Sequence, residues 1–312
     1  MSYSDRMQRN HIYSVYFAPR GATRMADLGM QIAQQYLSPF DKLIGVVGEA
    51  GSGKSMLIKG MFPGLELTND DAGVNIRPLP LLDIEEADDG FYSAHTYHLD
   101  IRFESAFTQM HELADCISIA ISKGRRVIVE HFDLIYPFLN KNAHLLLGIG
   151  EEVIITRPSL FGPEPQDVAD IVVKSLPYRK MTHTAEELCQ YFIKDMDESV
   201  RYSHDDVRHG FILNFERKPN IYIPALQKQL DEAVAADIPI SFVDDGHIRI
   251  GDDNWSCSGP RMHVKHTGEI KKVTLNKELL LEPITDHYLL VGIVGEHSDW
   301  NIRDLNKITG AV

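Results

Sequence analysis

The residues Gly48-Glu49-Ala50-Gly51-Ser52-Gly53-Lys54-Ser55 fit the pattern GxxxxGK[ST] at every fixed position. Glycines at these spacings let a backbone turn its N–H groups inward around phosphate oxygens. A helix that starts there adds its positive end. The lysine slot reaches the β and γ phosphates of a nucleotide, and the serine slot holds Mg2+. Gly48 to Ser55 therefore predicts binding of ATP or another nucleoside triphosphate, with Mg2+ on Ser55. A glycine turn that only connects a strand to a helix needs neither Lys54 nor Ser55. Such a site also needs an acid at a neighbouring strand end to position Mg2+ or water. Asp100 in YHLDIRF, and Glu130 and Asp133 in VIVEHFD, are the candidates. With Lys54 they form the candidate catalytic set. His98 and His131 stand beside these acids and read as structural histidines.

The elements that would position this set can be read from hydrophobic periodicity. Gly21 to Leu37 carries apolar residues at helical spacing, and Ser38-Pro39 stops it. Leu43 to Val47 (LIGVV) reads as a buried parallel strand leading into the glycine turn, and the helix leaving it runs to about Met61. Thr96–Phe103, Arg126–Phe132 and Glu152–Thr156 read as further strands, with a helix over Ala106–Lys123. Strand and helix in alternation predict an α/β domain with a parallel sheet and flanking helices, over residues 1–165. Four prolines between Thr156 and Arg179 read as a linker and the edge of a second domain, residues 166–312. That half holds eight of the fourteen histidines. A helix near Thr184–Met196, strands near Gly210–Phe215 and Ile221–Ile223, a helix at Pro224–Ala236 and short strands around Ile240, Ile248 and Val264 predict an α+β fold. No internal repeat or low-complexity segment is visible.

Length and composition bound the rest. The 312 residues suit two domains, and 44% hydrophobic with 24% charged residues is ordinary for a globular protein. A net charge of −14 argues against non-specific coating of nucleic acid and leaves a local basic patch open. Cys116, Cys189 and Cys257 are too few and too far apart for a disulfide framework, which fits a reducing compartment. No apolar run approaches the 18 or so residues that span a bilayer, and the start MSYSDRMQRNHIYSVYF lacks the pattern of a signal peptide. The expected location is the cytoplasm, with no membrane partner.

Three resemblances extend this reading. Thr23, Leu28-Gly29, Ile32-Ala33, the 48–55 turn, Lys59-Gly60 and the strand YHLDIRF resemble the ATPase of bacterial threonylcarbamoyl-adenosine tRNA modification, although no Ser-Pro-Thr switch loop follows the turn. GRRVIVEHFDLIYPFL and Asp88-Asp89-Gly90-Phe91-Tyr92 resemble uridine-kinase-like proteins. Met181-Thr182-His183-Thr184-Ala185-Glu186-Glu187, followed by Trp255 to Ile270, resembles the second additional domain of alanyl- and threonyl-tRNA synthetases, their editing domain. That last resemblance implies a pocket formed by His183, Glu187, Cys257 and His263, as possible Zn2+ ligands. The chain departs from that family twice. Glu187 stands where the family has a histidine, and Arg261-Met262 lengthen the Cys257-to-His263 spacing by two residues. Residues four apart share a helix face, so His183 and Glu187 can both face a metal. With two departures in one four-ligand site, the favoured reading is a degenerate domain that keeps the fold without the metal, since a catalytic zinc needs at least three placed ligands.

Together these expectations give an ATP-binding protein, an ATPase or small-molecule kinase, joined to an editing-like domain. As a kinase it needs a general base, for which Asp88, Asp89 or Asp100 qualify, and a lid arginine, for which Arg157 qualifies. The alternatives are an ATP-gated module that holds tRNA or aminoacyl-tRNA without chemistry on it, and a zinc-dependent aminoacyl-tRNA deacylase. His204 and His209 could join the second pocket. Arg261, Lys265, Lys271 and Lys272 form a locally basic stretch suited to an RNA end or to solvent.

Overall fold

The structure is a computed structural model that describes residues 12–67, 81–82, 96–197, 200–296 and 301–307. Chain contacts divide it into two units. The first contains residues up to Ala18 and Ala22–Lys174; the second contains Pro19–Gly21 and everything from Ser175 onward. The sequence reading sets the boundary at 165/166. The division falls instead inside a helix, and a three-residue piece from the start of the chain counts with the second unit.

The first unit is built on one six-stranded sheet. Its strands are β1 (Tyr13–Phe17), β2 (Leu43–Val47), β3 (Thr96–Asp100), β4 (Arg126–Glu130), β5 (Leu145–Ile149) and β6 (Glu152–Thr156), in the order β1-β6-β5-β2-β4-β3. β3, β4, β2 and β5 run parallel, whereas β6 is antiparallel to both β5 and β1. The sheet is thus mixed, not all-parallel, because the two-residue connection from Ile149 to Glu152 is a hairpin and leaves no room for a crossover helix. Helices α1 (Ala22–Tyr36), α2 (Lys54–Met61), α3 (Ile101–Glu104), α4 (Met110–Ser122) and α5 (Phe132–Ile135) accompany the strands. Two buried apolar clusters lie in this unit, one around Leu43, Val127, Ile117 and Phe132, the other around Ile44, Leu57, Met25 and Leu147. The expected strand Thr96–Phe103 stops at Asp100. The Asp100 carboxylate accepts the Phe103 amide at 3.2 Å and so starts α3.

The expected linker is a helix. α6 runs from Pro165 to Met196 with Pro177 inside it, and the helix expected near Thr184–Met196 is its C-terminal part. Its first part packs Val168, Ala169 and Val172 into the first unit, and the part after Ser175 belongs to the second. The second unit adds β7 (Ser203–Val207), β8 (Gly210–Phe215), α7 (Ile223–Ala235), β9 (Ile240–Asp244), β10 (His247–Ile250), β11 (Asp253–Ser256), β12 (Val273–Leu275), β13 (Leu280–Leu281) and β14 (Tyr288–Val294). One sheet has the order β12-β14-β8-β7, with β13 also on β14; the other is β11-β10-β9. All pairings are antiparallel. The strand expected at Ile221–Ile223 is absent, since Tyr222 caps α7, and Val264 lies outside any strand. One core of Leu188, Ile193, Phe211, Phe215, Leu226 and Ile248 unites both sheets with α6 and α7. Among the described residues, no helix is long and apolar enough to cross a membrane.

Candidate functional site

The glycine turn leaves the carboxyl end of β2 and enters α2 at Lys54. Gly48, Gly51 and Gly53 hold φ of +148°, +77° and +92°, a region that L side chains rarely adopt. A Cβ on Gly48 would lie 2.7 Å from the Ile149 carbonyl oxygen, so this glycine is fixed by space as well as by dihedral. Lys54 is buried, and its Nζ donates to the Glu49 carbonyl at 3.1 Å. It also stands 3.8 Å from Glu130 Oε2. Ser55 Oγ donates to Glu130 Oε1 at 3.3 Å, and His98 Nε2 is 3.0 Å from the same oxygen. Glu130 is thus the strand-end acid that meets the turn. It is delivered there because β4 pairs directly with β2, Val46 opposite Glu130.

The other acids do different things. Asp100 is the register neighbour of Glu130, and its carboxylate caps α3. Burial, with the charge of Glu130, raises its pKa. Asp133 lies in the first turn of α5, and burial raises its pKa too. Arg102 joins Glu49 at 3.5 Å on the rim of the turn. His131 is buried, with its pKa lowered to about 3 by burial and then by Lys54 and Arg102. Arg157 does not reach the turn. Its guanidinium grips Asp41 at 2.7 and 2.9 Å and the Tyr36 and His144 carbonyls, at the end of the sheet where β2 begins. Asp88 and Asp89, with Gly90-Phe91-Tyr92, lie outside the described residues.

In the second unit the four predicted residues come together. Cys257 Sγ is 3.6 Å from His183 Nε2 and 3.2 Å from His263 Nε2. Those three ligand atoms all lie within 4.8 Å of one another. Glu187 stands beside them, with Oε1 3.4 Å from His183 Nε2 and Oε2 accepting from Trp255 Nε1 at 2.7 Å. The hydrogen bonds around the rings fix their tautomers. His183 Nδ1 faces the Met262 carbonyl at 3.1 Å, an acceptor only, so Nδ1 carries the proton. Thr184 Oγ1 gives its one proton to the Lys180 carbonyl, so His263 Nδ1 donates to that hydroxyl at 3.2 Å. Both rings therefore turn Nε2 toward Cys257. Burial, and then His183, hold the His263 pKa well below its usual value. Burial, and then Glu187, raise that of the Cys257 thiol.

A tetrahedral ion with bonds of about 2.0 Å to nitrogen and 2.3 Å to sulfur sets N and S about 3.5 Å apart. The observed 3.2 and 3.6 Å bracket that edge closely, so the donor set fits a zinc-sized cation. The Gly259 amide faces Cys257 Sγ at 3.4 Å. α6 supplies His183 and Glu187 one turn apart, and the turn from Gly259 to Met262 places the Met262 carbonyl against His183 Nδ1. Sequence reasoning missed Thr184 and Trp255, whose types carry no ligand signal.

The remaining candidates lie elsewhere. His204 Nδ1 bonds Glu186 at 3.0 Å, and His209 stacks on Tyr178, so neither joins the cluster. Arg261 lies over Phe242 and 3.6 Å from Asp245, and Lys271 is 3.8 Å from Glu296, all exposed. Lys265 and Lys272 are exposed as well. A comparison with known protein families and with curated proteins finds no match for the chain.

Proposed function

We propose that residues 48–55 of the first unit bind a nucleoside triphosphate, ATP or another, with Mg2+, and that the protein acts on it as an ATPase or small-molecule kinase. The observation that carries this reading is the convergence of Ser55 and Glu130. Two oxygen ligands of one Mg2+ at 2.0–2.1 Å stand about 2.9 Å apart when adjacent in an octahedron. Ser55 Oγ and Glu130 Oε1, at 3.3 Å, need only a small movement to share an ion. Lys54 holds its charge beside the same carboxylate and the Glu49 carbonyl, from which it can swing to the β and γ phosphates. His98 fixes the Glu130 carboxylate from behind. Lys54→Ala removes a point charge from the phosphates, and ATP affinity should fall at least tenfold, about 1.4 kcal/mol. Equal heats of ATP binding for wild type and variant in titration calorimetry would exclude the reading.

The three-ligand cluster favours a second reading for the second unit: a zinc-dependent hydrolase of aminoacyl esters, with aminoacyl-tRNA as the substrate class. His183, Cys257 and His263 would hold Zn2+. Bound there, zinc supplies a Lewis acid and an activated water. Glu187, oriented by Trp255, leaves one carboxylate oxygen toward that position and can hold a proton on Oε1. A unit that binds tRNA or aminoacyl-tRNA without chemistry remains the alternative, and the exposed Arg261, Lys265, Lys271 and Lys272 support it equally. We further propose a cytoplasmic location, from the three free cysteines.

A further inference from the structure

The segment Pro19–Gly21 lies between β1 and α1 in sequence, yet its contacts are those of the second unit. Arg20 is 7% exposed. Its Nε donates to Glu186 Oε2 at 2.8 Å and its Nη2 to Glu186 Oε1 at 3.2 Å, a two-pronged grip. A further guanidinium nitrogen pairs with Asp206, and Nη2 reaches the Asp205 carbonyl at 3.4 Å. Arg179, on α6, donates to the Pro19 carbonyl. The backbone is as closely engaged as the side chain. A Cβ on Gly259 would lie 2.0 Å from the Arg20 carbonyl oxygen and 2.9 Å from His183 Cε1. A Cβ on Gly21 would lie 2.9 Å from Ser258 Oγ.

The contacts to Glu186, Ser258 and Gly259 fall on the two elements that supply the metal ligands, and those to Asp205 and Asp206 fall on β7. Glu186 sits on α6 between His183 and Glu187. Ser258 and Gly259 follow Cys257 directly in the turn that leads to His263. A helix is free to rotate about its axis by a few degrees, and a turn to shift by a few tenths of an ångström. Either movement breaks a set that must converge within bond lengths of about 2.0–2.3 Å. We infer that Arg20 is a positioning residue of the candidate metal site: its guanidinium fixes the rotation of α6 through Glu186, while its carbonyl seats the 257–259 turn against His183. The inference rests on the reading of the second unit as a metal site. It also means that a site whose ligands all lie after residue 182 depends on a residue near the start of the chain.

The test uses the full chain with Co2+ in place of Zn2+, because Co2+ reports both affinity and coordination by absorption. Wild type should bind one ion per chain, with a thiolate charge-transfer band from Cys257 and a four-coordinate ligand-field spectrum. Arg20→Ala should lose at least tenfold in affinity and show a changed ligand-field spectrum. Arg20→Lys should recover part of the affinity, since lysine restores the charge but not the two-pronged geometry. Glu186→Gln keeps the shape and removes the pair's charge; it should lower affinity in the same direction, and it carries the test if Arg20→Ala does not fold. Exposed Lys228→Ala is the control and should bind as wild type does. Unchanged affinity and spectrum in folded Arg20→Ala or Glu186→Gln, with wild type binding normally, overturns the inference and leaves the metal reading standing. Wild type that binds no Co2+ through Cys257 overturns the metal reading and the inference with it.

Discussion

His131 follows Glu130 directly and holds φ at +55°, a conformation that costs a residue with a Cβ about 1 kcal/mol or more. Its imidazole is held neutral, with a pKa of about 3, by burial and by the nearby Lys54 and Arg102 cations. The sign of the linkage follows. The unfolded chain takes up this proton near pH 6.5 and the folded chain only near pH 3. Stability is therefore complete above pH 6.5 and is lost as pH falls toward 3. Asparagine accepts the left-handed region and does not titrate. His131→Asn should lose less stability than wild type between pH 7 and pH 5, read as the shift of the urea midpoint at each pH. A wild-type midpoint no more sensitive to pH than the variant's would contradict the account. This residue marks a limit of sequence reading. The sequence identifies His131 as a histidine beside an acid, but no pattern in EHFD reveals the positive φ or the burial. The 48–55 turn is different, because its dihedrals demand glycine and glycine is visible.

At the scale of elements, α1 and α2 are held by two glycines in mutual contact with backbone. A Cβ on Gly60 would lie 2.0 Å from the Ala26 carbonyl oxygen, and one on Gly29 would lie 2.3 Å from that of Leu57. Alanine in place of glycine gains about 1 kcal/mol in helix propensity. Here the obstacle is backbone on both sides and cannot rotate away, so overpacking of about 1–3 kcal/mol outweighs the gain. Gly60→Ala should lower the urea midpoint, with an unchanged slope. A higher midpoint would show that the helices separate at no cost. The elements that were legible, α1, β2, β4 and α7 among them, are those where burial falls on one face or one unbroken apolar run. The first part of α6 was hidden for another reason: Pro163, Pro165 and Pro177 read as a linker, and only Thr184–Met196 read as a helix. Pro177 stands inside the helix instead of ending it. β5, LLLGI, is as short and as wholly buried as β2, but it lacks the glycine turn and following helix that mark β2 as a strand, and β7, SHDDV, is a polar edge strand with no apolar pattern. In the candidate sites the residue types were legible, whereas their supports, Arg20 above all, come from distant sequence.

At the scale of the whole molecule, the buried clusters are partitioned: the two large apolar cores of the first unit share no residue with that of the second. Each unit carries its own candidate site. The strands ending at the 48–55 turn belong to the first, and the ligand-bearing part of α6 to the second. A ligand that binds only the folded form stabilises it by RT ln(1 + [L]/Kd), about 2.7 kcal/mol at a hundred times Kd. That energy appears as a roughly hundredfold slower exchange of the amides that open only when the ligand's own core opens. Mg-ATP at that excess should therefore slow hydrogen exchange in β2 and β4, with β8 and β10 little changed. Zinc at the same excess should slow exchange in β8, β10 and residues 178–196, with β2 and β4 little changed. Mass spectrometry of peptides from both units reads the two responses in one sample. Protection of both units by either ligand alone would mean that the cores open as one cooperative body. No protection in the first unit by Mg-ATP would count against nucleotide binding at residues 48–55. No protection in the second by zinc would count against a metal at His183, Cys257 and His263.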